Sequence, residues 1–226
     1  MATKGGHMES RGLQRFAPLT GVVFVALIVL AIIIGGETPD NDDSRQAIVD
    51  FWSENDDAQI WSNIIGAWAT VFFLWFAASL RSALRRGEEG PARLSTLSFG
   101  GAVVAAVGLL SALSLNFAVA DSVGDVPASV TQTLTVLSNG FFFPIAAGYA
   151  LFFLAVGLLA LRTGMLPVWL GWVTVALGIV CLTPVGFFAL LLGLVWILIV
   201  SVLLYRREIG PAERRTPADR ASPAQE

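Results

Sequence analysis

DDAQIWSNIIGAWATVFFLWFAASLRSALRR, residues 56–86, begins with two carboxylates, closes with three arginines, and carries no charge from Ala58 to Leu80. Roughly 20 helical residues cover a hydrocarbon core about 30 Å thick. This stretch is therefore long enough to cross a bilayer, with acid at one end and base at the other. Working outward, the same pattern recurs. The apolar runs fall at 18–36, 58–80, 94–119, 130–161, 166–183 and 185–205. With 55% hydrophobic and 14% charged residues in 226, little chain is left for a soluble domain. The pattern predicts an all-α polytopic membrane protein of six transmembrane helices, forming one domain over 18–205. Residues 1–17 read as a leader plus a cytoplasmic N-terminus, with Gly5-Gly6-His7 ahead of a start at Met8. Residues 206–226, rich in Arg, Pro, Ala and Glu, read as a disordered cytoplasmic tail.

Basic residues that flank spans are retained on the cytoplasmic side. Arg81, Arg85, Arg86 and Arg93 join the second run to the third, Arg162 follows the fourth, and Lys4, Arg11, Arg15, Arg206 and Arg207 lie near the two ends. Only Arg45 falls on the other side, among Glu37, Asp40, Asp42, Asp43, Asp50, Glu54, Asp56 and Asp57, and the later loop there adds Asp121 and Asp125. This asymmetry predicts that both termini are cytoplasmic. The net charge of −3 comes from the outer loops and gives no reason to expect a nucleic-acid partner.

The longest outer loop contains a helical pattern. Asp43 or Ser44 can cap a first turn, and Ala47, Ile48, Phe51 and Trp52 then recur on one face. This predicts a short amphipathic helix lying at the outer interface, or alternatively a lid over an outward cavity. Pro144 interrupts the long fourth run, where a missing N–H predicts a kink.

Several chemistries lack a necessary residue. The one histidine, His7, is in the leader, so haem ligation by histidine, zinc hydrolysis and Ser-His catalysis have no ligand or base within the spans. Cys181 is the only cysteine, which leaves neither an intrachain disulfide nor a thiolate metal cluster. No lysine or carboxylate lies inside a run, so a Schiff base is excluded and ion-coupled transport is disfavoured. Glu88-Glu89-x3-Arg93 imitates a motif of intramembrane prenyl-protein proteases, but it sits in a loop between Gly87 and Gly90-Pro91 and reads as a charged turn. No cofactor or metal is expected, and no catalytic residue.

What polarity enters the runs clusters toward the outer side: Asn63, Asn116, Gln132 and Asn139. These amides could line one outward pocket; the plainer alternative is interhelical hydrogen bonding. Trp61, Trp68 and Trp75 recur every seven residues along one face, and Gly101/Gly108, Gly157/Gly164, Gly171/Gly178 and Gly186/Gly193 repeat at the same interval. Indoles packed over glycine-lined grooves account for both series, and an aromatic wall for a lipid or flat apolar ligand is the functional alternative. The candidate ligand-binding set is thus Trp61, Asn63, Trp68, Asn116, Gln132 and Asn139. Trp169 and Trp172 are expected in an interfacial belt.

The run Leu166-Pro167-Val168-Trp169-Leu170-Gly171-Trp172 resembles the opening of the fifth span in bacterial six-span proteins grouped as domain of unknown function 4386. The acidic helix around Phe51 and Leu80-Arg81 at the end of the second run are similar as well. The resemblance implies a six-helix bundle and brings no activity or catalytic residue with it. One lysine beside thirteen arginines, with abundant Ala, Gly and Val, suggests a high-GC bacterium and hence a multi-pass plasma-membrane protein. The functional expectation is a non-enzymatic protein that binds a lipid or small apolar molecule from the outer leaflet or regulates a membrane partner. The alternative is an uncoupled transporter or channel for a neutral solute. Membrane lipids are the expected partners, together with a second copy or another membrane protein docked through the glycine-lined faces.

Overall fold

The computed structural model of the protein describes residues 19–213, which are almost wholly helical; the leader and the last part of the tail lie outside the described residues. Among the described residues eight helices follow in order: α1 (Thr20–Gly35), α2 (Arg45–Glu54), α3 (Asp56–Arg85), α4 (Arg93–Ser122), α5 (Ala128–Gly140), α6 (Phe142–Thr163), α7 (Val168–Val180) and α8 (Gly186–Glu213). Four segments are long and apolar enough to cross a membrane: α3, α4, the α5–α6 unit and α8 as far as Arg206. The first and fifth expected spans are shorter than that. α1 has 16 residues and α7 has 13, about 24 and 20 Å at 1.5 Å per residue. α8 continues to Glu213, so the beginning of the expected disordered tail is helical.

The break between α5 and α6 falls at Phe141, three residues before Pro144. Pro144 has no N–H to give the Gly140 carbonyl, and its ring crowds that same carbonyl. The chain responds with a tighter turn in which the Phe141 amide donates to Ser138 O at 3.0 Å. At the far end of α6, Gly164 adopts φ +63°, and its amide closes the helix on Ala160 O at 3.0 Å.

Packing runs around a ring. α1 packs on α3, α3 on α4, α4 on α6, and α6 on α7; α8 completes the circuit by touching α7 and α1, more sparsely than the others touch. The closest approach is between α4 and α6. A Cβ added at Gly101 would sit 2.5 Å from Phe152 N and 2.8 Å from Gly148 O, while one at Gly148 would collide with the Ala105 backbone. Gly157 and Gly178 perform the same service between α6 and α7. Glycine allows backbones to meet where dispersion contacts drive association. The glycine-lined faces are therefore taken up within the chain. Trp61, Trp68 and Trp75 do not pack over them: these indoles are 60%, 61% and 55% exposed on the outer surface of α3.

Two hydrophobic clusters form. The main one is aromatic, with Phe73 tilted against Phe24 and Tyr149 and edge-on to Phe152 at ring distances of 5.1, 5.3 and 5.9 Å, and with Trp196 edge-on to Phe153 at 5.2 Å. The smaller one forms where α2 meets the end of α4 and α5. Ser44 caps α2 by accepting from Ala47 N at 3.2 Å, as its sequence suggests. Ile48 and Trp52 are then fully buried against Val119 and Ala120, and Trp52 Nε1 donates to Thr135 Oγ1 at 3.0 Å. α2 thus spends its apolar face on the protein rather than on a bilayer surface.

Charge segregates along the bundle. The acidic loops before α3 and after α4 meet at one end through α2 and α5. The arginine-bearing turns meet at the other, where residues 87–94 face 159–163 across a polar cavity. There Glu88 caps α4, its carboxylate accepting from Leu94 N at 2.8 Å and Ser95 N at 3.2 Å. Desolvation pushes the Glu88 pKa up, but hydrogen bonds from Ser95 and Leu94 and the nearby Arg85 charge outweigh it and hold it below the ordinary 4.5.

Candidate ligand cavity

At the acidic end, α1, α3, α4, α6 and α8 enclose a cavity of about 320 Å³. Its walls are mainly apolar, with Ile28, Leu113, Ile145 and Leu194 among them, and no charged residue lines it. The polar groups concentrate near the mouth. Gln59, Ser62 and Asn63 come from the first turns of α3, Asn116 from α4, and Tyr149 stands deeper on α6.

Each mouth residue makes one structural bond that orients it. Gln59 Nε2 donates to Gly35 O at 2.5 Å, a carbonyl at the end of α1 with no partner in its own helix, and Ser62 Oγ donates to Ala31 O at 2.8 Å. Asn63 Nδ2 donates to Gln59 O at 2.7 Å, and Asn116 Oδ1 accepts from Ser138 Oγ at 2.5 Å. What remains unused among the described residues is an acceptor on Gln59, an acceptor on Asn63, a donor on Asn116, and the Tyr149 hydroxyl. None of these atoms is sealed in the core; Ser201 Oγ alone is both buried and unpartnered among the described residues. They form a small neutral hydrogen-bonding cluster above an apolar chamber.

The floor is closed by the aromatic cluster, since Phe24 and Tyr149 both line the cavity and both pack on the buried Phe73. The side is less closed. Ile32 on α1 and Phe187 on α8 line the cavity yet are 52% and 58% exposed on the outer surface. The opening thus runs sideways, between α1 and α8, which touch only sparsely. A second cavity of about 210 Å³ between α3 and α4 shares Asn63 and Leu113 with the first.

Of the six candidate residues, the structure brings Asn63 and Asn116 together and separates the rest. Trp61 and Trp68 project from the opposite side of α3. Gln132 accepts from Arg45 Nε at 3.0 Å, and Asn139 Nδ2 donates to Asn41 Oδ1 at 2.9 Å. Gln132 therefore fastens the start of α2, and Asn139 the loop before it, onto α5 instead of facing the cavity. Gln59, Ser62 and Tyr149 take their place. The i, i+3, i+4 spacing of Gln59, Ser62 and Asn63 is the signal that identifies that face. Among the described residues there is no group of His, Cys, Asp or Glu side chains placed to hold a metal ion. The chain matches no protein-family model, and no curated protein or solved structure is significantly similar to it.

Proposed function

We propose that the chain is a non-enzymatic membrane protein that takes a neutral amphiphile, a lipid or a small apolar molecule with a polar uncharged end, sideways from the outer leaflet into this cavity. The observation that carries the reading is the lateral opening at Ile32 and Phe187, which leads to an uncharged cluster of unused donors and acceptors. An apolar body fills the chamber while amides and a phenol orient its head. A charged headgroup has no counter-charge there and is disfavoured by desolvation.

The reading includes six membrane crossings with both ends cytoplasmic, in a bacterial plasma membrane. It rests on the segregation of arginine from carboxylate and on the resemblance of 166–172 to the six-span proteins of domain of unknown function 4386. On this account α1 and α7 cross with help from polar flanking residues and local bilayer thinning, the usual accommodation of a short apolar helix. The aromatic floor argues against an uncoupled channel, which needs a continuous polar path to the arginine end.

Mass spectrometry of molecules co-purified with wild type, Asn63→Leu and Leu113→Trp tests the proposal. Wild type carries one enriched neutral amphiphile, Asn63→Leu retains less of it, and Leu113→Trp, which fills the chamber, loses it. The same bulk lipids in all three preparations would remove the reading.

A further inference from the structure

The cavity at the arginine end has a different chemistry. It measures about 600 Å³ and is lined by Glu88, Glu89, Arg93 and Arg162, with Leu94 and Leu159 on its apolar side. Arg93 opens α4 and Arg162 lies in the last turn of α6, so two separate helices each bring an arginine to the lining of one space. Neither guanidinium has an ion pair or hydrogen bond among the described residues. Glu88 turns both carboxylate oxygens to the Leu94 and Ser95 amides and forms no ion pair with either guanidinium. Arg85 is turned to the Glu88 carbonyl oxygen at 2.8 Å, and Arg86 adds a further positive charge to the same turn. With Glu88 and Glu89 set against Arg85, Arg86, Arg93 and Arg162, the surroundings of the cavity keep a net positive charge.

We propose that this cavity holds the phosphodiester of an anionic phospholipid, clamped between Arg93 and Arg162. The planar guanidinium fork fits a phosphate's oxygens bidentately and gives up its water more readily than an ammonium does. Leu94 and Leu159 continue the wall toward the apolar body of the bundle, where acyl chains would lie. Trp169 and Trp172, exposed on the first two turns of the neighbouring α7, stand where aromatic side chains mark the headgroup level. A basic pocket between helices at that depth recognises anionic headgroups, whereas a free anion gains nothing from the apolar wall. The site is independent of the cavity at the acidic end.

Native mass spectrometry of the full chain in detergent, titrated with phosphatidylglycerol or with phosphatidylcholine of the same acyl chains, tests the proposal. Wild type binds phosphatidylglycerol in preference to phosphatidylcholine. Arg162→Gln weakens phosphatidylglycerol binding by about fivefold, the worth of one arginine near a membrane surface. Arg86→Gln removes an equal charge outside the cavity and changes binding by less than about twofold on the same scale. Inorganic phosphate in large excess leaves the bound lipid in place. Equal losses in the two variants would reduce the effect to diffuse charge, and no preference in wild type would eliminate the site. Displacement of the lipid by inorganic phosphate would make it a free-anion site; each of these three results overturns the proposal.

Discussion

Gly100 and Gly101 are adjacent on α4, and the structure assigns them opposite responses to one methyl group. In Gly101→Ala the new Cβ lies 2.5 Å from Phe152 N and 2.8 Å from Gly148 O, both backbone atoms, whereas ordinary contact begins at 3.4 Å. α4 and α6 must then separate by about 0.6–0.9 Å, and such a gap forfeits a quarter to a half of each dispersion contact along the seam. Over some tens of contacts at about 0.1–0.2 kcal/mol each, the loss comes to about 2 kcal/mol, within the usual cost of overpacking. Gly100→Ala meets nothing within 4 Å. It gains only the helix propensity of alanine, about 0.5–1 kcal/mol. For a chain of this size these changes lower the melting temperature by roughly 4–8 °C for Gly101→Ala and raise it by roughly 1–4 °C for Gly100→Ala. Thermal unfolding of the two variants in the same detergent reads both. Equal melting temperatures, or a Gly100→Ala variant as unstable as Gly101→Ala, would refute the close α4–α6 seam.

Three further outcomes follow from other parts of the molecule. Glu88 has a pKa depressed by its capping bonds, so its contribution is complete at neutral pH and is lost as pH falls below about 4.5 through the folded value. Melting curves from pH 7 to pH 3 should therefore fall more steeply for wild type than for Glu88→Gln, which at pH 7 has already lost about 1 kcal/mol of cap; parallel curves would count against the cap. Trp52→Phe removes the indole bond to Thr135 and leaves a small void under α2. A cost of about 1–2 kcal/mol is expected in denaturant or thermal unfolding, and an unchanged midpoint would mean that α2 is not docked as described. Because Cys181 is buried, single cysteines can be introduced without background labelling. A membrane-impermeant maleimide added outside the cell should modify Asp56→Cys and spare Arg85→Cys, and the reverse pattern would invert the topology.

Much of the architecture was legible because it depends on local chemistry. Ser44 caps α2 through a bond three residues along the chain, and Pro144 breaks the helix at the carbonyl four residues before it. Charge alternation likewise distinguishes the two ends of α3 and α4 from the chain alone. The candidate site was legible only in part, and one error lay within reach of a helical wheel. Trp61 and Asn63 are two residues apart, about 200° around α3, while Gln59, Ser62, Asn63, Gly66 and Thr70 share the opposite face. A pocket lined by Asn63 could not also be walled by Trp61 and Trp68. The partners of Gln132 and Asn139 were not legible at all, since Arg45 and Asn41 lie 87 and 98 residues away in the chain. The use of Gly101 and Gly157 inside the bundle, rather than at an interface, is likewise a property of which helices become neighbours.

The most direct test of the central claim is to map where a membrane amphiphile resides. A neutral diacylglycerol analogue with a diazirine on its acyl chain, reconstituted with the full chain and photolysed, reports the side chains around it through peptide mass spectrometry. The account predicts adducts on the chamber wall, on peptides containing Leu113, Ile145 and Tyr149, and their loss in Leu113→Trp. Adducts confined to the outer surface, at Trp61, Trp68, Trp75 and Phe143, with none inside the ring, would contradict it.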